Sequence, residues 1–242
     1  MMNKLRVLDL FSGIGGFSLG LERTGGFETV AFCEIDPFCR KVLANHWPEV
    51  PIYEDVRTLT ADTLARDGIA VDVITGGFPC QDISILGKRA GLAGERSGLW
   101  SEISRLVCDI RPRFVLLENS PSLCVRGLDE ICGDLASIGY DAEWEGIPAA
   151  AVGAPHLRAR EWILAYPSEF GQRCTDETIF TGWHTIEFGD WWSSEPRVDR
   201  VADGIPEQVD RHAALGNAVV PQIPELIGNA ILASLPDMEA AE

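Results

Sequence analysis

The chain has 242 residues, of which 46% are hydrophobic and 24% charged, proportions that fit one large globular domain or one domain with a small appendage. No apolar run approaches the roughly 18 residues of a membrane span, and residues 1–6 lead into a strand-like segment without the pattern of a signal peptide, so we expect a cytoplasmic protein. The seven cysteines are scattered without a CxxC pair beside only four histidines, which predicts reduced thiols and no metal site.

The net charge of −17 argues against nucleic-acid binding, because polyanions are usually bound by basic surfaces. The distribution of the charge weakens this argument. Between Lys88 and Arg113 there are six basic and three acidic residues, and most basic residues of the chain are arginine, whose guanidinium suits bidentate contacts to phosphates and bases. Composition alone still favours a solvated surface of mixed charge.

The first 165 residues alternate between strand-like and helix-like segments. Strands are predicted over residues 5–11, 29–34, 52–56, 71–75, 114–118, 139–147 and 162–165, and helices over 17–23, 37–45 and 100–109 among others. This alternation predicts an α/β fold with a mostly parallel sheet and helices on both faces. The last two strands can pair as a hairpin.

The composition changes after residue 165. Residues 166–201 are rich in Gly, Trp, Thr, Ser and Glu without a clear period, which predicts a small loop-rich lobe. A helical pattern resumes over residues 224–235. We therefore divide the chain into a first domain over 1–165, the lobe over 166–201 and a C-terminal segment over 202–242.

A glycine cluster lies where the first predicted strand turns into a helix. Residues 9–16 read Asp-Leu-Phe-Ser-Gly-Ile-Gly-Gly, and Glu34 follows Gly13 by 21 residues, at the end of the second strand. Such a loop lets the backbone approach a ligand, and an acid at that place can bind ribose hydroxyls. The dinucleotide pattern GxGxxG fails at Ser18, so an adenosine ligand without a pyrophosphate fits better than NAD. Asp55, at a third strand end, favours this interpretation over a purely structural turn.

A second loop carries a candidate nucleophile. Residues 76–84 read Gly-Gly-Phe-Pro-Cys-Gln-Asp-Ile-Ser and follow a predicted strand, which places Cys80 at the carboxyl end of that strand. Catalytic groups collect at this edge of an open α/β sheet, and cysteine is intrinsically a strong nucleophile. An isolated cysteine is more often a buried filler, but the neighbouring glycines, proline and glutamine favour an exposed loop.

Both loops belong to a set of segments in which the chain resembles the DNA cytosine-C5 methyltransferase family, of the bacterial or phage type. The segments follow the family's order over residues 9–16, 32–36, 54–56, 78–81, 116–120, 155–160 and 214–219. The chain departs from the family's pattern at His156, where Gln is usual, and at Ser120, where Val is more usual. Its target-recognition region is much shorter than the family's.

The resemblance implies a Rossmann-like fold that binds S-adenosylmethionine (SAM), with the C-terminal segment returning to complete the catalytic domain. Residues from both ends of the chain would then line the cofactor site. They are Phe11, Ser12, Gly13, Gly15, Gly16, Glu34, Ile35, Asp55, Val56, Pro79, Leu99, Asn217 and Val219.

The resemblance also implies a covalent mechanism at the cytosine ring. Attack of the Cys80 thiolate on carbon 6 would make carbon 5 nucleophilic. Glu118, at the end of an apolar strand that can raise the pKa of its carboxyl, would hold a proton at N3. Arg160 would hold the O2 side of the ring, helped by Arg158. Without the resemblance, the arginines would be phosphate contacts or solvated charges, and Glu118 an ordinary surface carboxylate.

The implied partner is double-stranded DNA, from which the target cytosine must be flipped. The stretch over 81–99 would close over the flipped base. Candidate DNA-binding residues are Gln81, Ser84, Lys88, Arg89 and Arg96 in this stretch, and Gln172 and Arg173 in the lobe. With few candidate base contacts in the lobe, we expect a recognition site of about two to four base pairs. We expect a monomer that binds neither a membrane nor a metal, with a cognate restriction enzyme as a candidate partner.

Two other functions stay open. The related tRNA cytosine-C5 methyltransferases share the Pro-Cys chemistry, although the Cys-Phe-Thr segment typical of them does not occur here. The chain could also be a non-catalytic SAM-binding partner protein, against which the set of Cys80, Glu118 and Arg160 argues.

Overall fold

The computed structural model describes residues 3–79, 98–171, 179–180 and 214–235. The predicted nucleophile and the predicted DNA-binding residues lie outside the described residues: Cys80, Gln81, Ser84, Lys88, Arg89, Arg96, Gln172 and Arg173. Most of the predicted lobe over 166–201 lies outside them as well, so these expectations stay predictions.

Seven strands form one sheet in the order β3-β2-β1-β4-β5-β7-β6. The strands are β1 (Leu5–Leu10), β2 (Phe27–Cys33), β3 (Ile52–Tyr53), β4 (Val73–Gly77), β5 (Phe114–Asn119), β6 (Tyr140–Pro148) and β7 (Ala159–Pro167). The first five strands pair in parallel, whereas β7 runs antiparallel to both β5 and β6. The predicted mostly parallel sheet with a late hairpin is therefore confirmed.

Helices connect most of the consecutive strands. They are α1 (Gly16–Arg23), α2 (Pro37–His46), α3 (Ala61–Arg66), α4 (Leu99–Ile110), α5 (Leu123–Arg126), α6 (Leu128–Ser137), α7 (Ser168–Gly171) and α8 (Gln222–Ser234), with a 3₁₀ turn at Ala149–Val152. The sequence explains where α2 begins: the side chain of Asp36 accepts hydrogen bonds from the first-turn N–H groups, and Pro37 occupies the first helical position.

The core has two layers because successive side chains of a strand point to opposite faces of the sheet. On one face, Leu8 and Leu10 of β1 pack in a cluster with buried residues of α4 and α6. On the other face, Leu5 and Val7 pack in a cluster with buried residues of α1 and α8. Helices therefore cover both faces of the sheet, as the sequence predicts.

The C-terminal helix α8 lies against α1 at a distance that only glycine permits. A Cβ atom at Gly20 would lie 2.1 Å from the carbonyl oxygen of Pro221, and one at Gly228 would lie 2.9 Å from a methyl group of Leu21. A side chain at Gly20 would therefore push the two helices apart, whereas one at Gly228 would require the Leu21 side chain to shift. The C-terminal segment returns to the first domain, as expected.

Several element boundaries differ from the prediction, by up to three residues. The third strand ends at Tyr53 rather than at residue 56, because the chain turns there: the Thr58 N–H donates to the carbonyl oxygen of Asp55. The last strand, β7, continues to Pro167, beyond the boundary at residue 165 that we expected for the first domain.

Within the described residues, no helix is both long and apolar enough to cross a membrane. The cysteines in this part of the chain are free thiols, of which Cys33 and Cys39 are buried and Cys108 and Cys124 are exposed.

Candidate active site

The carboxyl ends of β1, β2, β4 and β5 meet at one edge of the sheet, hereafter the carboxyl edge, because these strands run parallel. In open α/β sheets this edge is where ligands bind. The glycine loop follows β1, Glu34 follows β2, Pro79 follows β4 by two residues, and Glu118 and Asn119 end β5. The fold thus brings both loops predicted from the sequence to one edge.

Glu118 is a buried carboxylate paired with an arginine. Its Oε1 lies 2.8 Å from Nε of Arg160. Burial raises the pKa of the Glu118 carboxyl, and the positive charges of Arg160 and Arg158 oppose that shift. A carboxyl held in this balance can change its protonation state when a ligand alters its surroundings.

The Glu118 carboxylate packs against β4 just before the predicted nucleophile. A Cβ atom at Gly77 would lie 3.2 Å from Oε2 of Glu118, so the glycine leaves room for the carboxylate. Gly77 precedes Cys80 by three residues in the sequence. Glu118 therefore faces the strand that leads into the Pro-Cys loop.

Asn119 is a residue of this site that was not predicted from the sequence. Its side chain is buried, and its Nδ2 donates a hydrogen bond of 3.0 Å to the carbonyl oxygen of Phe78. Its Oδ1 accepts a hydrogen bond from the N–H of Ser120. Asn119 thus fixes the backbone that leads into Pro79. Its place beside Glu118 in the segment over 116–120 was the signal for this contact.

Arg158 has a different contact from the one predicted. Its guanidinium donates to the carbonyl oxygens of Gly216 and Ala218, at 2.6 and 2.8 Å. Its backbone is in the left-handed region, with φ at +28°. Arg158 therefore ties the loop before β7 to the C-terminal segment, and its predicted help at the cytosine ring stays a prediction.

The carboxylate of Glu34 holds the glycine loop by a hydrogen bond. The N–H of Gly13 donates to Oε2 of Glu34 at 2.7 Å, and the N–H of Asp36 donates to Oε1 at 2.7 Å. Gly13 and Gly15 have positive φ, and Gly15 forms the N-cap of α1. Ser12 is buried, and its hydroxyl donates to the carbonyl oxygen of Asp9. Glu34 thus joins the end of β2 to the loop that follows β1.

The C-terminal segment completes this loop from the other side. A Cβ atom at Gly16 would lie 2.5 Å from the carbonyl oxygen of Val219, so the two backbones touch. Asn217 is exposed nearby in sequence, within a helical turn over 214–217. The two ends of the chain therefore meet at the glycine loop, as the resemblance implies.

The ends of β2 and β3 carry the remaining residues predicted to surround the adenine. The side chain of Ile35 is 63% exposed, an unusual degree for isoleucine, whereas Val56 is 5% exposed and belongs to the core. Asp55 forms a salt bridge of 2.6 Å with Arg57, which lowers the pKa of the Asp55 carboxyl. Ile35 and Asp55 are accessible to a ligand, whereas the Val56 side chain mainly packs.

The other predicted cofactor residues lie around the same edge. Phe11 has a φ of +52° and packs against the core with Leu99, the first residue of α4. Pro79 is exposed. A role for each of these residues in binding stays a prediction.

Arg40 links the two strand ends and was not predicted. Its Nη1 donates to the carbonyl oxygens of Glu34 and Ile35, at 3.2 and 2.7 Å. Its Nη2 lies 3.3 Å from a carboxylate oxygen of Glu54, just after β3. Nothing in the local sequence of α2 distinguishes this arginine, because its partners are brought to it only by the fold.

This arrangement fits the adenosine part of SAM better than a dinucleotide. The N–H of Gly13 is bonded to Glu34 and that of Gly15 to the Ser12 carbonyl oxygen, so neither is available to a pyrophosphate. The Glu34 carboxylate accepts one hydrogen bond at each oxygen and retains lone pairs for ribose hydroxyls. Open space surrounds Gly13, where a Cβ atom would meet nothing within 4 Å.

A second buried carboxylate, Asp9, lies beneath the loop on the α1 side of the sheet. It is fully buried, and it accepts hydrogen bonds of 2.8 Å from the hydroxyls of Ser18 and Thr75. Burial raises the pKa of Asp9 to about 7, although both hydroxyls oppose the shift. Ser18, which breaks the dinucleotide pattern, therefore has a structural partner in Asp9.

The buried Asp9 carboxyl should make the free energy of unfolding fall as the pH rises. Its pKa rises from 3.8 to about 7 on folding, so the native state binds the proton more tightly and loses stability as the pH rises through this window. We expect Asp9→Asn to remove this loss. Relative to wild type, the free energy of unfolding of the variant should gain up to about 4 kcal/mol between acid and neutral pH.

Urea unfolding of both proteins from about pH 3.5 to about pH 8, a range that brackets this window, measures the difference. Glu28→Gln is the matched control, because Glu28 is an exposed carboxylate on the neighbouring strand β2. Stability profiles that stay parallel for wild type and Asp9→Asn would contradict the prediction.

A comparison with protein families agrees with this geometry. Residues 5–186 match the family model described as C-5 cytosine-specific DNA methylase. The chain is 35% identical over 193 residues to the Type II methyltransferase M.CviJI of Paramecium bursaria Chlorella virus IL3A, covering 79% of this chain and 50% of the relative. It is 32% identical over 225 residues to M.DsaV of Dactylococcopsis salina, covering 88% and 62%.

Among solved structures, the fold is similar to that of the S. pombe Dnmt2 methyltransferase, with a TM-score of 0.57 and 23% identity over 73% of this chain and 52% of that one. The chain spans about half the length of the curated relatives it matches. The family's methyl donor is SAM. The match to the family model and the identity to these relatives lead to one conclusion: the chain belongs to the C-5 cytosine-specific DNA methylase family.

Proposed function

We propose that this chain transfers a methyl group from SAM to carbon 5 of a cytosine in double-stranded DNA. The observation that carries the proposal is the buried Glu118 carboxylate, paired with Arg160 and packed against the strand that leads to Cys80. The family and the Type II methyltransferase relatives support DNA as the substrate.

The chemistry explains why these residue types belong together. Carbon 5 of cytosine is too electron-poor to take a methyl group directly. When the Cys80 thiolate bonds to carbon 6, electrons move toward N3, and a proton donor there stabilises the ring as an enamine that is nucleophilic at carbon 5. After methylation, loss of the carbon 5 proton and departure of the Cys80 thiolate restore the aromatic ring.

Glu118 is the proton donor in this proposal. Its burial favours the protonated form, and protonated Glu118 can donate to N3 of a cytosine that lies over Gly77. Arg160 holds the carboxyl from one side and can donate a hydrogen bond to O2 of the same ring. Glu118 therefore acts at N3 of the cytosine and Arg160 at O2.

SAM supplies an electrophilic methyl group when it is bound. Glu34 would hold the ribose and Ile35 would contact the adenine. Asp55 would accept a hydrogen bond from the amino group of the adenine. Pro79 and Leu99 would close the methionine side, with Asn217 and Val219 completing the pocket from the C-terminal segment.

Arg40 should matter for binding SAM and not for the chemical step. Arg40→Met removes the contacts to the Glu34 and Ile35 carbonyl oxygens and to Glu54, so the two strand ends lose their common anchor. We expect the Kd for SAM to rise about tenfold, the size of one lost charge-assisted hydrogen bond. The kcat at saturating SAM should stay close to that of wild type.

Calorimetric titration with SAM measures the Kd without requiring turnover. The matched control is Arg66→Met, because Arg66 is exposed and lies 3.9 Å from its partner Asp67 on the surface. Arg40→Lys keeps the charge but cannot reach all three acceptors, so its Kd for SAM should lie between those of Arg40→Met and Arg66→Met. Equal Kd values for Arg40→Met and wild type would contradict the assigned role.

A tritium-transfer assay with DNA and tRNA side by side tests the proposed function. Methyl incorporation into DNA at cytosine, mapped by bisulfite sequencing, supports the proposal, whereas incorporation into tRNA alone would replace it. Binding of SAM without transfer to either polymer would favour a non-catalytic partner protein. The same map gives the recognition site, which we propose to be about two to four base pairs, set by base contacts of Gln172 and Arg173.

Three finer proposals accompany this function. We propose that the protein works as a monomer in the cytoplasm, that residues 166–201 form the recognition lobe, and that a cognate restriction enzyme is its partner. The restriction-enzyme proposal rests on the Type II methyltransferase relatives.

A further inference from the structure

The short helix α5 has an exposed tip at the carboxyl edge. It follows β5 after the turn at residues 120–122, and Leu123 is fully buried, which anchors the helix to the core. The next side chains point away from the core: Val125 is 84% exposed, and Arg126 is exposed. Val125 and Arg126 are hereafter the α5 tip.

Arg126 differs from most other cations of the described chain in having no acidic partner there. Salt bridges with carboxylates engage a large group of arginines: Arg6, Arg23, Arg40, Arg57, Arg66, Arg105 and Arg160. Two further arginines, Arg111 and Arg158, donate to backbone carbonyl oxygens. Most of the arginines in the described part of this acidic protein therefore have a partner within the chain.

The position of Arg126 in the fold determines which ligand its guanidinium can reach. Lys4 and Arg113 are also exposed, but they precede β1 and β5 and so lie at the opposite edge of the sheet. Arg126 follows Glu118 by eight residues, so chain geometry keeps the two Cα atoms within roughly 20 Å. Phosphates of one DNA strand repeat about every 3.4 Å along the axis, so several would lie near the α5 tip when a cytosine is at Glu118.

We propose that the α5 tip contacts the DNA backbone beside the flipped cytosine, with Arg126 bound to a phosphate and Val125 against an adjoining sugar. The proposal rests on the proposed function. A guanidinium that has no acidic partner among the described residues, at the carboxyl edge of a chain of net charge −17, is complementary to a phosphate. Such a contact positions the duplex and carries no sequence information.

Removal of one phosphate contact has a measurable signature. We expect Arg126→Ala to weaken DNA binding about tenfold at low salt, by a similar factor for different DNA sequences. The slope of log K against log salt should become shallower by about 0.9, the value for one phosphate. Arg126→Lys should keep the slope, and Val125→Ser should lower the affinity at an unchanged slope.

Fluorescence anisotropy of the full chain with a labelled DNA duplex, measured over a salt series, tests this. Arg113→Ala is the matched control, because Arg113 is an exposed arginine at the other end of the same strand, β5, and its loss changes the net charge equally. A slope change in Arg126→Ala that is absent in Arg113→Ala supports the proposal.

Equal slopes for the two variants would overturn it, since only the overall charge would then matter. A wild-type protein that methylates DNA while Arg126→Ala behaves like Arg113→Ala would limit the failure to the α5 tip. A wild-type protein that neither binds nor methylates DNA would overturn the proposed function itself.

Discussion

Cys80→Ser is expected to lower methyl transfer to less than about a hundredth of the wild-type rate, because a serine hydroxyl is a far weaker nucleophile than a thiolate. SAM binding should stay nearly unchanged, since the proposed adenosine contacts come from the loops after β1, β2 and β3. Tritium transfer measures the first quantity and calorimetric titration the second.

The matched control for this variant is Cys108→Ser, which removes an exposed thiol on α4. A companion result should be an SDS-stable adduct between the wild-type protein and DNA that contains 5-fluorocytosine, because fluorine at carbon 5 cannot leave as a proton does. Turnover of Cys80→Ser near the wild-type rate, or no adduct from an active enzyme, would contradict the covalent mechanism.

Glu118→Gln is expected to slow methylation at least about a hundredfold, since a positioned acid contributes roughly 10²–10⁴ to a rate. Glutamine is nearly isosteric and can still accept a hydrogen bond from Arg160, so the fold should persist. Burial raises the pKa of Glu118, which extends the protonated form to higher pH. The wild-type rate should therefore fall on the alkaline side as this group ionises, and the residual rate of Glu118→Gln should lack that fall.

Glu161→Gln separates this effect from the loss of any buried carboxyl. Glu161 is buried on the adjacent strand β7, and burial also raises the pKa of its carboxyl. It precedes Trp162, the residue paired with Glu118, so its side chain points to the opposite face of the sheet. If Glu161→Gln lost as much activity as Glu118→Gln, general damage to the sheet would explain both results.

The succession of strands along the chain and the placement of the motifs could be predicted because they depend on local patterns. Short apolar runs between helical stretches indicated a parallel sheet, and Gly13 and Cys80 followed such runs directly. The family resemblance added the later elements, including the return of Val219 to Gly16, which no local pattern indicates.

The contacts that organise the site could not be predicted, because they join residues that are distant in the sequence. Arg40 lies on an ordinary amphipathic helix, and only the fold brings the Glu54 carboxylate to it. Ser18 counted as a departure from a glycine pattern, whereas its hydroxyl bonds to a buried acid. Arg158 was assigned to the base, and its backbone partners on the C-terminal segment lie 58 and 60 residues away.

The contacts of Arg158 have a consequence for how such proteins diversify. Phe170 of α7 packs on Phe114 of the sheet, and Arg158 holds Gly216 and Ala218, so the chain leaves and re-enters the same domain at fixed points. The entropy of closing a loop between fixed points grows slowly, by about 0.6 kcal/mol for each doubling of its length. We therefore expect a change of chain length on either side of Phe180, which itself packs in the core, to cost little in loop-closure entropy. Because we propose that residues 166–201 recognise the target, new target sites would arise in this way without changes to the catalytic domain.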